Sequence, residues 1–180
     1  MHIIIAGCAR SGKTTLCKKT RELGFVHYKM DSVKRGVCRH FNIKTKLWTD
    51  FSDGVRDIIE QIILDEYEDN ILFDTPHLSV EDADYLRVKY NVLVVYMGYT
   101  EMKYEDFKKF IATYDNDTWC MKLDEVELRD LFDGCVKFSI ENKTKISNIS
   151  EIKYFDISSN PEETIDKAFN YIRECVDNGF

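Results

Sequence analysis

The chain has 180 residues, 44% of them apolar and 32% charged, and a net charge of −7, a size for one domain that buries about 70% of its unfolded surface. The acidic balance argues against a nucleic-acid coat, which needs basic stripes that displace counterions from phosphate, yet it permits a local positive pocket for a small anion. No run approaches the roughly 18 apolar residues of a transmembrane helix, no leader pattern opens the chain, and six scattered cysteines lack both a C-x-x-C pair and a histidine at zinc-site spacing. Free thiols, a cytoplasmic location and no membrane partner are therefore expected.

The first element is an apolar strand, Ile3 to Ile5, that runs into Gly7-Cys8-Ala9-Arg10-Ser11-Gly12-Lys13-Thr14-Thr15. This fits G-x-x-x-x-G-K-[ST], a loop whose glycines let successive backbone N–H groups approach a polyphosphate at the start of a helix. Lys13 would reach the terminal phosphates, and the Thr14 hydroxyl would ligate Mg2+. Cys8 would contribute its backbone N–H, with a labile thiol if the local positive field lowers its pKa. Arg10 reads equally as a phosphate or adenine contact and as an exposed loop cation.

A helix from Lys13 to Leu23 stops at Gly24, and Phe25 to Met30 has strand character and ends at Asp31. A carboxylate there, at the end of a strand beside the P-loop strand, would lie at the carboxyl edge of an open sheet, where such folds bind ligands. Ser32 to Phe41 is a short basic segment in which Arg35 and Arg39 are one helical turn apart, and residues 42 to 50 form an irregular connection containing Trp48. Val55, Ile58, Ile59, Ile62, Ile63 and Tyr67 make one stripe of an amphipathic helix.

Asn70 to Asp74 is a second buried strand ending in a carboxylate and followed by Thr75-Pro76-His77. Asp74 is placed to hold the water shell of a magnesium ion, or else to form a turn before Pro76. Ser79 caps a helix from Val80 to Tyr90, Val92 to Met97 is a third apolar strand, and a charged helix spans Thr100 to Tyr114. Residues 115 to 149 are polar and lack a strand pattern; with a helix near Asp124 to Phe138, they are a candidate lid. Its cations Arg129, Lys137, Lys143 and Lys145 are candidate phosphate clamps, and Trp119 and Tyr99 are candidates for base stacking or for packing. Lys153 to Ile157 is the last strand, and Asn160-Pro161-Glu162-Glu163 opens a closing helix.

Five apolar strands alternating with helices imply a three-layer α/β domain spanning residues 1 to 180, with a five-stranded parallel sheet, a P-loop NTPase fold and a helical lid at 115 to 149. A Ras-type GTPase should carry an Asn/Thr-Lys-x-Asp signature, but Asn142-Lys143-Thr144-Lys145 lacks the final Asp. An oligomeric motor ATPase needs a helical partner domain and an arginine finger, for which the chain barely has room.

On GCARSGKTT, Met30-Asp31 with Arg35, Asp74-Thr75-Pro76-His77 with Ala83 and Leu86, and the polar stretch before the last strand, the chain resembles the adenylate-kinase-like group: nucleoside monophosphate, shikimate and gluconate kinases. The likeness implies ATP and Mg2+ as cofactors and phosphoryl transfer to a small-molecule acceptor (alcohol, sugar-like or nucleoside/nucleotide) by a monomer or homodimer. Nucleotide kinases of the group tend to have Asp-Gly-Phe-Pro-Arg where this chain has Asp74-Thr75-Pro76-His77, and their lids are richer in arginine. Both departures favour an alcohol or sugar-like acceptor. Lys13 and Asp31 are the candidate catalytic residues, Gly7 to Thr15 the nucleotide loop, Thr14 and Asp74 the metal ligands, Asp31, Arg35, Arg39 and His77 the acceptor site, and Arg129 and Lys143 the lid contacts. The alternative is a nucleotide-binding regulatory ATPase without an acceptor.

Overall fold

The computed structural model describes residues 1–40, 52–66, 69–76, 78–114 and 119–180. Its frame is one sheet of five parallel strands in the order β2-β3-β1-β4-β5: β1 (His2–Gly7), β2 (Val26–Lys29), β3 (Ile71–Thr75), β4 (Leu93–Gly98) and β5 (Lys153–Asp156). β1 is central and pairs with β3 through Ile5↔Asp74 and with β4 through Ile5↔Val95. Because both faces of this middle are covered, β1 and β4 are buried along their whole length and read as unbroken apolar runs. The five-stranded parallel α/β architecture expected from the sequence is therefore present.

Pleat parity sorts the strand residues into two cores. Ile3, Ile5, Leu72, Val95 and Met97 face one way and pack under Leu16 and Cys17 of α1 (Lys13–Thr20), Phe107 of α5 (Tyr104–Tyr114), Phe132 of α6 (Glu125–Ile146) and Ile165 and Ile172 of α7 (Pro161–Asp177). Ile4, Ala6, Phe73, Val94 and Tyr96 face the other way, against Met30 of α2 (Met30–His40), Val55, Ile59 and Ile63 of α3 (Ser52–Asp65) and Leu86 of α4 (Val80–Tyr90). Helix starts follow the expected chemistry. Ser79 accepts from the Asp82 amide at 3.0 Å, and Asn160 accepts from the Glu163 amide at 3.3 Å ahead of Pro161.

Three expectations shift. β2 ends at Lys29, so Asp31 sits in the first turn of a helix instead of at a strand end. The segment that follows is helical to His40 because Met30, Lys34 and Cys38 recur at one-turn spacing and are all buried, a stripe that the abundant basic residues obscure. α6 continues past Phe138 to Ile146, since Ser139, Asn142 and Ile146 extend its buried face. Residues 132 to 146 of the candidate lid are thereby rooted in the core through that face; the first turns of α6 are the more exposed part. Among the described residues no helix is long and apolar enough to cross a membrane.

Candidate active site

The loop between β1 and α1 is shaped by contacts that leave no room for side chains. Gly7 has φ 135°, and a Cβ there would fall 1.8 Å from the Met97 carbonyl oxygen. Gly12, at φ 81°, occupies the N-cap of α1 without offering a side-chain cap, and a Cβ on it would meet Ile165 Cδ1 at 2.9 Å. The amides at the start of α1 are thus uncapped by the residue that precedes them, as an anion cradle requires. Ser11 Oγ donates to the Cys8 carbonyl at 2.9 Å, Lys13 Nζ donates to the same oxygen at 2.5 Å, and the Tyr99 hydroxyl donates to the Ala9 carbonyl at 3.1 Å. Lys13 is buried, 7% exposed, and folded back over its own loop.

Next to this loop, Thr14 Oγ1 donates to Asp74 Oδ2 at 3.3 Å. Burial pushes the Asp74 carboxyl up, but His27, Lys13 and the Thr14 hydroxyl more than offset it and hold the group below the ordinary carboxylate value. Asp31 is shifted the other way. Burial raises it, opposed by Lys13 and Arg35, with the Asp74 charge adding to the rise. Lys13, Asp31, Asp74 and Arg35 therefore share one electrostatic neighbourhood at the carboxyl ends of β1 and β3. Arg35 is exposed and donates to Ser32 Oγ at 3.3 Å; Arg39, also exposed, follows one turn later on α2. Lys34, indistinguishable by pattern from its basic neighbours, is turned inward at 3% exposure, and burial lowers its pKa while Asp31 opposes the change.

The remaining candidates scatter. Arg10 adopts φ 61° and donates from Nε to Cys120 Sγ at 3.2 Å. Arg129 lies with Cζ 4.0 Å over the Tyr104 ring, and Lys143 pairs with Asp156 at 3.0 Å, so both lid cations are already engaged within the chain. Tyr99 is fully buried against Phe107 and Phe132, which makes it a packing residue and not a base-stacking one. His77 and Trp48 lie outside the described residues, as does the side chain of Trp119. Cys8 is a correction: burial pushes its thiol up, and the low-pKa partner is Cys135 of α6, held at about 6 chiefly by the Cys8 hydrogen bond.

No protein-family model matches the sequence, and no curated protein matches it. The fold is nevertheless close to that of solved kinases. A gluconokinase from Sinorhizobium meliloti superposes with a TM-score of 0.63 at 11% identity, over 98% of this chain and 94% of that one. A shikimate kinase from Bacteroides thetaiotaomicron gives 0.57 at 14% identity, over 96% and 98%, and a sugar kinase from Janibacter gives 0.59 at 15% identity, over 96% and 94%. The likeness extends along essentially the whole of each chain, and the protein has the fold of the P-loop small-molecule kinases of the adenylate-kinase-like group.

Proposed function

We propose that this protein transfers the γ-phosphoryl group of Mg-ATP to a hydroxyl of a small, non-nucleotide acceptor. The observation that carries the reading is the convergence of Lys13, the Thr14–Asp74 pair and Asp31 beside a loop whose two glycines leave the backbone open to an anion. Mg-ATP, when bound, supplies the transferable phosphoryl group and a divalent cation that neutralises its oxygens. The chain's part is positioning and charge compensation, as this reaction demands. The amides from Gly7 to Thr15 cradle the phosphates, and Lys13 exchanges the Cys8 carbonyl for phosphate oxygen. Thr14, through its hydroxyl, and Asp74, through its carboxylate, would hold the cation.

Asp31 orients the acceptor and takes its proton as the acceptor oxygen bonds to phosphorus and the bond to the β-phosphate oxygen breaks. A carboxylate raised above its usual value is better suited to this step than a solvated one. Arg35 and Arg39, exposed on α2 beyond Asp31, would bind an anionic group of the acceptor. The named gluconate, shikimate and sugar kinases among the structural neighbours support a polyhydroxy or hydroxy-acid acceptor.

The test is ADP release from Mg-ATP across sugar acids, shikimate-like alcohols, sugars, nucleosides and nucleoside monophosphates, with Lys13→Ala as the blank. Acceptor-stimulated release by the wild type alone supports the proposal and names the substrate class. Nucleotide binding with no stimulation by any acceptor would favour the regulatory ATPase instead. Asp31→Asn should abolish the stimulated rate while leaving nucleotide binding intact.

A further inference from the structure

Beneath the first turns of α1 lies a second constellation, which shares Asp74 with the proposed magnesium site and adds two side chains that phosphoryl transfer does not use. In the sheet, His27 of β2 is in register with Leu72 of β3, and Asp74 follows two residues later on the same face of the pleat. That face is the one covered by α1, whose Cys17 points into it and is fully buried. Three elements distant in sequence thus deliver a thiol, an imidazole and a carboxylate to one place. The Cys17, His27 and Asp74 ligand atoms all lie within 4.8 Å of one another. His27 Nε2 stands 3.7 Å from Asp74 Oδ2, too far for a hydrogen bond. Its side chain is 6% exposed, and among the described residues this nitrogen is buried without a hydrogen-bond partner. A buried polar atom left in that condition costs about 1–3 kcal/mol unless something else satisfies it.

We propose that Cys17, His27 and Asp74 form a binding site for a borderline-soft divalent transition-metal ion of the Zn2+ class. The donor set is the argument. Thiolate and imidazole select such ions over Mg2+ and Ca2+, which take oxygen ligands, and three protein donors with one position left for water is a common zinc arrangement. Tetrahedral coordination at the usual bond lengths of about 2.0–2.3 Å sets neighbouring donors roughly 3.3–3.6 Å apart. The separation of His27 from Asp74 is already near this, and closure needs side-chain rotations of about 1 Å. Binding exchanges the Cys17 thiol proton for the cation, satisfies His27 Nε2 and clamps α1 to β2 and β3. Lys13, one of the cations around this site, is engaged by the Cys8 carbonyl.

Titration of the full chain with Co2+ in the absence of nucleotide tests this directly, because a cobalt–thiolate bond produces a charge-transfer absorption that oxygen ligands do not. A band saturating at one equivalent, displaced by Zn2+, absent in Cys17→Ser and at least 10-fold weaker in affinity in His27→Gln, is the expected result. The absence of any band in the wild type, or a band that persists in Cys17→Ser, overturns the proposal. Should Cys17→Ser fail to fold by circular dichroism, His27→Gln decides alone, and an unchanged cobalt affinity overturns it. A rise in wild-type melting temperature with Zn2+ that is lost in His27→Gln is the parallel measurement. Neither readout uses ATP or turnover, so failure here leaves phosphoryl transfer standing, and failure of the kinase assay leaves this site standing.

Discussion

The Thr14 hydroxyl donates to the Asp74 carboxylate at 3.3 Å, so one hydrogen bond joins the first turn of α1 to the end of β3. A cation ligated by Thr14 would find Asp74 directly behind its water shell. Asp74→Asn keeps the shape and removes the charge. It is expected to raise the Mg2+ concentration needed for half-maximal ADP release by about 10- to 100-fold, with a smaller change in nucleotide binding without metal. A magnesium titration of wild type and variant measures it.

Asp31 should govern the acid limb of the pH profile. Its proton must be absent for it to act as base, and burial raises its pKa. Activity therefore falls as pH drops through that raised value, at a higher pH than an exposed carboxylate would give. In Asp31→Asn the residual rate should be lower by about 10^2- to 10^4-fold and should lose this limb. A variant that kept the limb would assign it to another group.

Acid stability should depend on Asp156, at the end of β5. Burial raises its carboxyl, but Ser158, Thr100 and Lys143 reverse this and bring it to about 2, against an ordinary value of 3.8. Because the folded-state value is the lower one, the carboxylate favours the native state. Its contribution is complete above the unfolded value and is lost as pH falls through about 2. Asp156→Asn is expected to cost on the order of 2 kcal/mol near neutral pH and to flatten the stability profile between the two values, as followed by urea unfolding.

Cys135 should be more acidic than its buried neighbour Cys8. With Cys8 donating to it, its pKa is brought down to about 6, while burial pushes Cys8 up. Thiolate absorbance in the ultraviolet should therefore rise near that pH. The step should vanish in Cys135→Ala and move to higher pH in Cys8→Ala, where the donor is gone.

The frame was legible because buried parallel strands and helix caps leave local marks. The run from Ile3 to Ile5, the GCARSGKT loop, Ser79 and Asn160-Pro161 each declare themselves within a few residues. Asp31 and Asp74 were both expected at strand ends; Asp74 lies in β3, whereas Asp31 falls in the first turn of α2, and β2 lies beyond β3 instead of beside β1. What stayed hidden depends on pairings that no spacing encodes. Cys17, His27 and Asp74 come from a helix and two strands and meet only through register and pleat, so a search for zinc-like spacing passes over them. Asp156 as the partner of Lys143, and Cys135 as the partner of Cys8, are equally non-local. α2 was obscured differently, its stripe of Met30, Lys34 and Cys38 carrying a lysine where periodicity looks for an apolar residue.

Ser139 lies in the stretch read from sequence as a mobile cover, yet its hydroxyl is 3.3 Å from Cys8 Sγ and accepts from the Tyr99 amide at 3.2 Å. On the other side, Gly98 has no space for even a methyl group, which would stand 2.6 Å from that hydroxyl. The helix is pinned at this point to both the phosphate loop and the strand beside it. A single serine of α6 thus braces Cys8 of the loop and the backbone that follows β4, so this stretch of the helix belongs to the frame that holds the loop in place.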